Sequence, residues 1–134
     1  MKIFLDANVL FTAAHNPKGK ASFLMSIAEA QKWTVLICAL AIEEATRNLD
    51  MKFPSCLSGF KKFLRGIHVV PTVLGGDCPI ALPEKDRPIF LSAVHAKCSH
   101  LLTGDLRDFG RYMNQPKKSG GILIQTVADF LASL

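Results

Sequence analysis

The sequence predicts an α/β domain over residues 1–134, a three-layer α/β/α sandwich with a central, mostly parallel sheet of four to five strands. The length of 134 residues fits one domain that buries a substantial core. Apolar residues make up 49% of the chain and charged residues 20%, which is typical of a globular protein. Short apolar runs alternate with segments of helical periodicity, which indicates parallel strands covered by helices on both faces.

Five short apolar runs are predicted to form the strands. They cover residues 2–5, 33–38, 67–70, 99–103 and 122–124. Apolar side chains recur at the spacing of a helix face over residues 23–28, 41–49, 53–65, 89–98, 107–113 and 127–134. Gly59 weakens the third of these helices, and Pro88 is well placed in the first turn of the fourth.

The composition excludes several classes of protein. The chain has 16 Lys and Arg against 11 Asp and Glu, a net charge of +5, which favours a polyanionic partner or, alternatively, serves solubility. The longest apolar run, residues 33–42, has about half the length of a membrane-spanning helix, so no membrane association is expected. Asp6 interrupts any apolar signal segment, and we expect a cytoplasmic protein. Its four cysteines lack the spacing of a zinc site and are expected to be reduced.

Acidic residues follow the strands at the positions where a parallel sheet carries its sites. Asp6 and Asp105 come directly after predicted strands, and Asp108 lies one helical turn beyond Asp105. Asp86 opens the most apolar helix, and Glu44 lies on the helix after the second strand. The carboxyl ends of parallel strands meet at one edge, so these acids can converge there. Clustered carboxylates repel one another unless a cation neutralises them, and oxygen ligands select Mg²⁺ or Mn²⁺.

Each acid also has an ordinary structural interpretation. Asp6, Asp86 and Asp108 precede or begin helical patterns, where aspartate is a favoured N-cap. Asp105 could be a turn residue, and Glu44 a solvated charge on its helix. The functional interpretation therefore depends on the five acids as a set.

The second acid has two candidates, because Glu43 and Glu44 are neighbours. On a helical wheel that places Ala41 and Ala45 inward, Glu44 falls near the edge of the buried face and Glu43 nearly opposite it. A ligand beside the core belongs at that edge, which favours Glu44.

Four short motifs together resemble the PIN-domain family. They are Phe4-Leu5-Asp6-Ala7-Asn8-Val9-Leu10, then residues 42–49 around Glu44, residues 85–94 around Asp86, and residues 102–110 around Asp105. They occur in the family's order and cover nearly the whole chain, although residues 52–83 match no motif. The resemblance implies a PIN-like fold and a metal-dependent ribonuclease.

Further residue roles follow from the same resemblance. It implies that Asp6, Glu44, Asp86 and Asp105 hold Mg²⁺ or Mn²⁺, with Asp108 as an auxiliary acid. Asn8 and Thr103 match polar positions that support the metal ligands. Small stand-alone PIN proteins resemble the VapC-type toxin of a type II toxin–antitoxin pair, which implies RNA as substrate, an antitoxin protein as a possible partner, and a possible homodimer.

Arg107 and Arg111 are candidate phosphate contacts. Arg107 and Arg111 are four residues apart beside the fourth motif, where they are expected to contact phosphates unless they are merely solvated.

A haloacid-dehalogenase-type phosphatase would need an aspartate where the chain has Asn8. A non-catalytic or regulatory RNA-binding module with a PIN fold is the alternative, and the intact acid set argues against it.

Overall fold

The computed structural model describes residues 1–134 and contains one five-stranded sheet. Its strands are β1 (Lys2–Leu5), β2 (Thr34–Cys38), β3 (His68–Val70), β4 (His100–Leu102) and β5 (Leu123–Gln125). All neighbouring strands pair in parallel, in the order β3-β2-β1-β4-β5. The predicted parallel sheet and its five strands are confirmed, with boundaries that differ by at most one residue at either end.

Seven helices connect and cover the strands. They are α1 (Ala7–His15), α2 (Lys20–Ala30), α3 (Ala39–Lys52), α4 (Leu57–Phe63), α5 (Arg87–His95), α6 (Leu106–Phe109) and α7 (Val127–Ala132). Helix α1 packs against α2, α3 and α4, so these four lie on one face of the sheet. The connection through α5 runs back across the sheet, and a right-handed crossover in that direction lies on the opposite face. The predicted three-layer arrangement is thereby confirmed.

The predicted helix over residues 53–65 is interrupted in the structure. Helix α3 continues to Lys52, and 3₁₀ turns at Pro54–Cys56 and Leu64–Gly66 flank the seven-residue helix α4. Pro54 has no backbone N–H and cannot continue the hydrogen bonding of α3, which explains the break between the two helices. Phe60 is the residue of α4 that reaches the core, at 2% exposure.

A single apolar core of 32 buried residues lies on both faces of the sheet. Its largest fully buried side chains are phenylalanines from β1, α4, α5, α6 and α7, namely Phe4, Phe60, Phe90, Phe109 and Phe130. All four cysteines are free thiols. None of the helices combines the length and the apolar character that crossing a membrane requires.

The order of the strands determines where a ligand site can form. From the central strand β1, the chain moves to β2 and β3 on one side and then returns to β4 and β5 on the other. The crevice between the carboxyl ends of β1 and β4 is therefore a topological switch point, the usual position of sites in open parallel sheets. Asp6 follows β1 there, and Asp105 follows β4.

Candidate metal centre

Asp6 is both a helix cap and a buried acid. Its Oδ1 accepts a hydrogen bond from the N–H of Ala7 at 2.7 Å, at the start of α1. Its Oδ2 accepts hydrogen bonds from Thr103 Oγ1 at 2.8 Å and Asn8 Nδ2 at 3.3 Å. Burial raises the pKa of Asp6, and the charge of Asp105 raises it further, whereas these hydrogen bonds lower it; the net pKa is raised. Capping and a functional role are therefore compatible at this position.

Thr103 and Asn8 join the ends of β1 and β4. Thr103 is fully buried, and its Oγ1 accepts hydrogen bonds from Asn8 Nδ2 at 3.2 Å and from the N–H of Asp105 at 3.1 Å. Asn8 Oδ1 accepts a hydrogen bond from the N–H of Gly104 at 2.8 Å. These contacts restrain Asp6 and Asp105 relative to one another, because both acids share Thr103 as a hydrogen-bond partner.

Three acids lie close enough together to bind one cation. Carboxylate oxygens of Asp86, Asp105 and Asp108 all lie within 4.8 Å of one another. Asp105 caps α6 by accepting the N–H of Asp108 at 3.1 Å, so the cap is Asp105 and not Asp108. Asp86 precedes α5, but its side chain caps no N–H of that helix. Helix capping therefore leaves the position of the Asp86 carboxylate unexplained.

Asp86 carries an unsatisfied buried oxygen. The residue is 8% exposed, and its Oδ2 has no hydrogen-bond partner. Burial, together with the close approach of the Asp108 carboxylate and the negative charge of Asp6, raises the pKa of Asp86 to about 7. The interaction with the Asp86 side chain in turn lowers the pKa of Asp108. A buried carboxylate oxygen without a partner is costly, so this group requires either a proton or a cation.

The structure distinguishes the two neighbouring glutamates. Glu44 is half-buried on α3, whereas Glu43 is exposed. Burial and then the charge of Asp6 raise the pKa of Glu44. Asp6 and Glu44 do not belong to the 4.8 Å group, but their charges interact with each other, and the charge of Asp6 also acts on Asp86. The five acids thus form one electrostatic neighbourhood, of which three members are within direct reach of a common ion.

The donor set fits a hard divalent cation. Its potential ligand atoms are carboxylate oxygens, which suit Mg²⁺ or Mn²⁺ better than zinc. One of them, Oδ2 of Asp86, is buried and has no partner inside the protein. The nearest balancing charge is Lys85, whose Nζ lies 3.6 Å from Oδ2 of Asp108. Because the Lys85 side chain is 73% exposed, water screens this ion pair and it neutralises the cluster only weakly.

Two residues near the centre had no role in the sequence interpretation. Lys85 forms the single ion pair of the chain, and its position directly before Asp86 was the available signal. Tyr112, the only tyrosine, accepts a hydrogen bond from the N–H of Ala81 at 2.8 Å and donates one to its carbonyl at 3.2 Å. It thereby fixes the loop that leads to Asp86, a long-range contact that no local pattern indicates.

The two arginines considered as phosphate contacts are accessible. Arg107 and Arg111 are both exposed, and neither forms an ion pair. The guanidinium carbon of Arg111 lies 5.3 Å from the centre of the Tyr112 ring. Both side chains are therefore free to meet an anion beside the acidic cluster.

Comparisons with known proteins agree with the fold. Residues 2–107 match the family model described as PIN domain. The fold resembles VapBC2 from Rickettsia felis, solved bound to a DNA fragment from its promoter, with a TM-score of 0.68 and 14% identity over 94% of this chain and 98% of that one.

Two further solved structures share the fold. VapBC-1 from nontypeable Haemophilus influenzae has a TM-score of 0.61 and 10% identity, covering 96% of this chain and 99% of that one. A protein from Pyrobaculum aerophilum has a TM-score of 0.63 and 18% identity, covering 99% of this chain and 94% of that one. The search of curated proteins gave no match.

Proposed function

The chain belongs to the PIN domain family, and we propose that it is a metal-dependent ribonuclease that hydrolyses RNA phosphodiester bonds with Mg²⁺ or Mn²⁺. The observation that carries this proposal is the acidic cluster at the switch point of the sheet. Asp86, Asp105 and Asp108 bring carboxylate oxygens within 4.8 Å of one another, and one buried oxygen of Asp86 has no partner. A protein that used these acids only for stability would gain little from such an arrangement.

The proposed ligands are Asp6, Glu44, Asp86 and Asp105, with Asp108 as the auxiliary acid. A divalent ion bound there would lower the pKa of a water molecule and neutralise charge on phosphate oxygens. Thr103 and Asn8 would keep the carboxylate of Asp6 in one orientation through the hydrogen bonds already described. No side chain needs to act as a nucleophile in this scheme.

The basic residues beside the centre support RNA as the substrate. Arg107 lies on α6 and Arg111 in the turn that follows it; both are exposed and form no ion pair, and we propose that they contact backbone phosphates. Such contacts would add to the salt dependence of RNA binding. The net charge of +5 is consistent with a polyanionic substrate.

Two of the structural neighbours suggest a biological context. Both are VapBC structures, and VapBC pairs join a toxin to its antitoxin. We therefore propose that the chain is the toxin of such a pair and that an antitoxin protein binds it. Co-expression with the product of an adjacent small gene, followed by co-purification and loss of ribonuclease activity, tests this part separately.

A cleavage assay tests the enzymatic proposal. The purified protein should degrade a mixed RNA pool in Mg²⁺ or Mn²⁺ and stop when EDTA is added. Asp105→Asn should reduce cleavage by about 100-fold or more, because a metal ligand is lost while the helix cap is kept. Asp50→Asn, an exposed change on α3, is the matched control. RNA binding without metal-dependent cleavage would instead support the RNA-binding module.

A further inference from the structure

A groove of about 560 Å³ opens beside the acidic centre. Asn8, Gly104 and Asp105 form the wall that it shares with the centre. Lys20, at the start of α2, and Val127, at the start of α7, also line it. Its volume lies within the range of small-ligand sites, and it ends at an acid of the proposed metal site.

One positively charged and one negatively charged side chain line the groove. Lys20 and Asp105 are its only charged lining residues. Lys20 is exposed and forms no ion pair, in a chain whose single ion pair joins Lys85 to Asp108. An anion in this groove would therefore meet an uncompensated ammonium group at Lys20, and the proposed metal ligand Asp105 on the wall that the groove shares with the acidic centre.

The remaining lining is small and uncharged. Val127 and Ala128 come from α7, Ala21 from α2, and Thr12 from α1. No aromatic residue lines the groove, so it offers no platform on which a base could stack. This chemistry suits the sugar and phosphate of a nucleotide better than its base.

We infer that this groove holds the RNA segment on one side of the phosphate to be cleaved, with the ammonium group of Lys20 on a neighbouring backbone phosphate. The inference rests on the proposed ribonuclease function. It adds the path of the RNA chain, which runs from the acidic centre between α1, α2 and α7. Without base stacking or base-edge contacts here, this part of the RNA is bound with little sequence preference.

The test measures RNA binding without cleavage. Lys20→Gln is introduced into an Asp6→Asn background, and binding of a short single-stranded RNA is followed by fluorescence anisotropy in Mg²⁺ at several salt concentrations. We expect binding to weaken about fivefold near physiological salt, and the slope of log K against log salt to fall by about 0.7, because one phosphate contact is lost. Lys18→Gln is the matched control, because Lys18 is exposed two residues earlier but outside the groove.

A second pair of variants tests the groove by shape. Ala128→Trp places a large ring on an exposed lining position of α7, whereas Ala132→Trp places the same ring on an exposed position outside the groove. Only the first should weaken RNA binding. Circular dichroism should show that both variants remain folded.

The outcomes separate the groove from the ribonuclease function. The wild-type protein could cleave RNA while the Lys20→Gln and Ala128→Trp variants bind RNA like the Asp6→Asn parent. That result would contradict RNA binding in the groove and leave the proposed ribonuclease function standing. Equal losses in Lys20→Gln and Lys18→Gln overturn it as well, because they indicate diffuse charge attraction. A wild-type protein that neither binds nor cleaves RNA overturns both the proposed function and the inference.

Discussion

The hydroxyl of Thr103 donates a 2.8 Å hydrogen bond to Oδ2 of Asp6, and thereby joins the carboxyl ends of two paired strands. The hydroxyl oxygen of Thr103 also accepts a hydrogen bond from the N–H of Asp105 at 3.1 Å. Thr103 is fully buried, so water does not compete for either contact. One side chain thus positions two of the proposed metal ligands before any ion is bound, which lowers the reorganisation that binding requires.

Replacing Thr103 tests this positioning. Thr103→Val keeps the shape of the side chain but leaves Asp6 and the N–H of Asp105 without their buried partner. We expect a loss of about 1–3 kcal/mol in the free energy of unfolding and at least a tenfold fall in metal affinity. Urea denaturation and metal titration measure the two effects. Thr103→Ser retains the hydroxyl and should stay near wild type in both; if it fails equally, the methyl group and not the hydrogen bond is responsible.

The two glutamates of α3 form a matched pair of variants. Glu44→Gln removes a half-buried acid that faces the charge of Asp6, whereas Glu43→Gln changes an exposed neighbour. Cleavage of RNA should fall by about tenfold or more in the first variant and stay within about twofold in the second. Initial rates at saturating metal give the comparison. Equal rates in the two variants would remove Glu44 from the proposed ligand set.

Metal-free stability should depend on pH through Asp86. Its folded pKa of about 7 lies above the ordinary value of 3.8. The folded protein therefore holds an extra proton between these values, and the free energy of unfolding decreases as pH rises from about 4 to about 7. Burial raises the pKa values of Asp6 and Glu44 in the same direction. Thermal denaturation in EDTA across this range should show the decline.

Removing the Asp86 charge should stabilise the metal-free protein at alkaline pH. An asparagine at this position can donate to Asp108 without a net charge, so Asp86→Asn should gain about 1 kcal/mol near pH 8. Mn²⁺ should raise the Tm of the wild type more at pH 8 than at pH 5.5, since ionised carboxylates bind cations. In Asp86→Asn that increase should largely disappear. A metal response that is unchanged in this variant would argue against Asp86 as a ligand.

The hydroxyl of Tyr112 should stabilise the loop before α5. Its hydroxyl bonds both the N–H and the carbonyl of Ala81, so Tyr112→Phe removes two hydrogen bonds while keeping the buried ring. We expect a loss of about 1–2 kcal/mol in stability and a fall of a few fold in cleavage rate, because the segment that carries Asp86 becomes less restrained. Faster amide exchange confined to residues 77–86 would support this explanation, and exchange unchanged there would contradict it.

The amino-acid sequence was sufficient to predict the five strands and the acids that follow two of them. Each strand is a short apolar run, and Asp6 and Asp105 follow two of them directly, so local patterns carry that information. The order of the strands was not predicted, because the pairing of Ile3 with His100 joins distant residues and leaves no local signal. The 3₁₀ turns that flank α4 inside the predicted helix over residues 53–65 were missed, because apolar spacing alone does not register the missing N–H of Pro54.

The geometry of the acidic centre was only partly accessible to sequence reasoning. Capping was an open alternative for Asp86, and the structure shows instead a buried carboxylate that caps nothing. Capping of α6 belongs to Asp105 and not to Asp108, which depends on the backbone conformation of the turn after β4. Burial and loop contacts such as that of Tyr112 arise from tertiary packing, and periodicity does not record them.

The central position of β1 has a consequence for synthesis of the protein. It leaves the ribosome before the other four strands of this sheet, yet one of its two neighbours, β4, begins only at His100. Asp6 therefore lacks Thr103, and the acidic cluster lacks Asp105 and Asp108, until most of the chain has been translated. At ordinary elongation rates this delay lasts several seconds. A nascent chain consequently carries no assembled centre, and the acids come together only when the segment from His100 onward folds against β1.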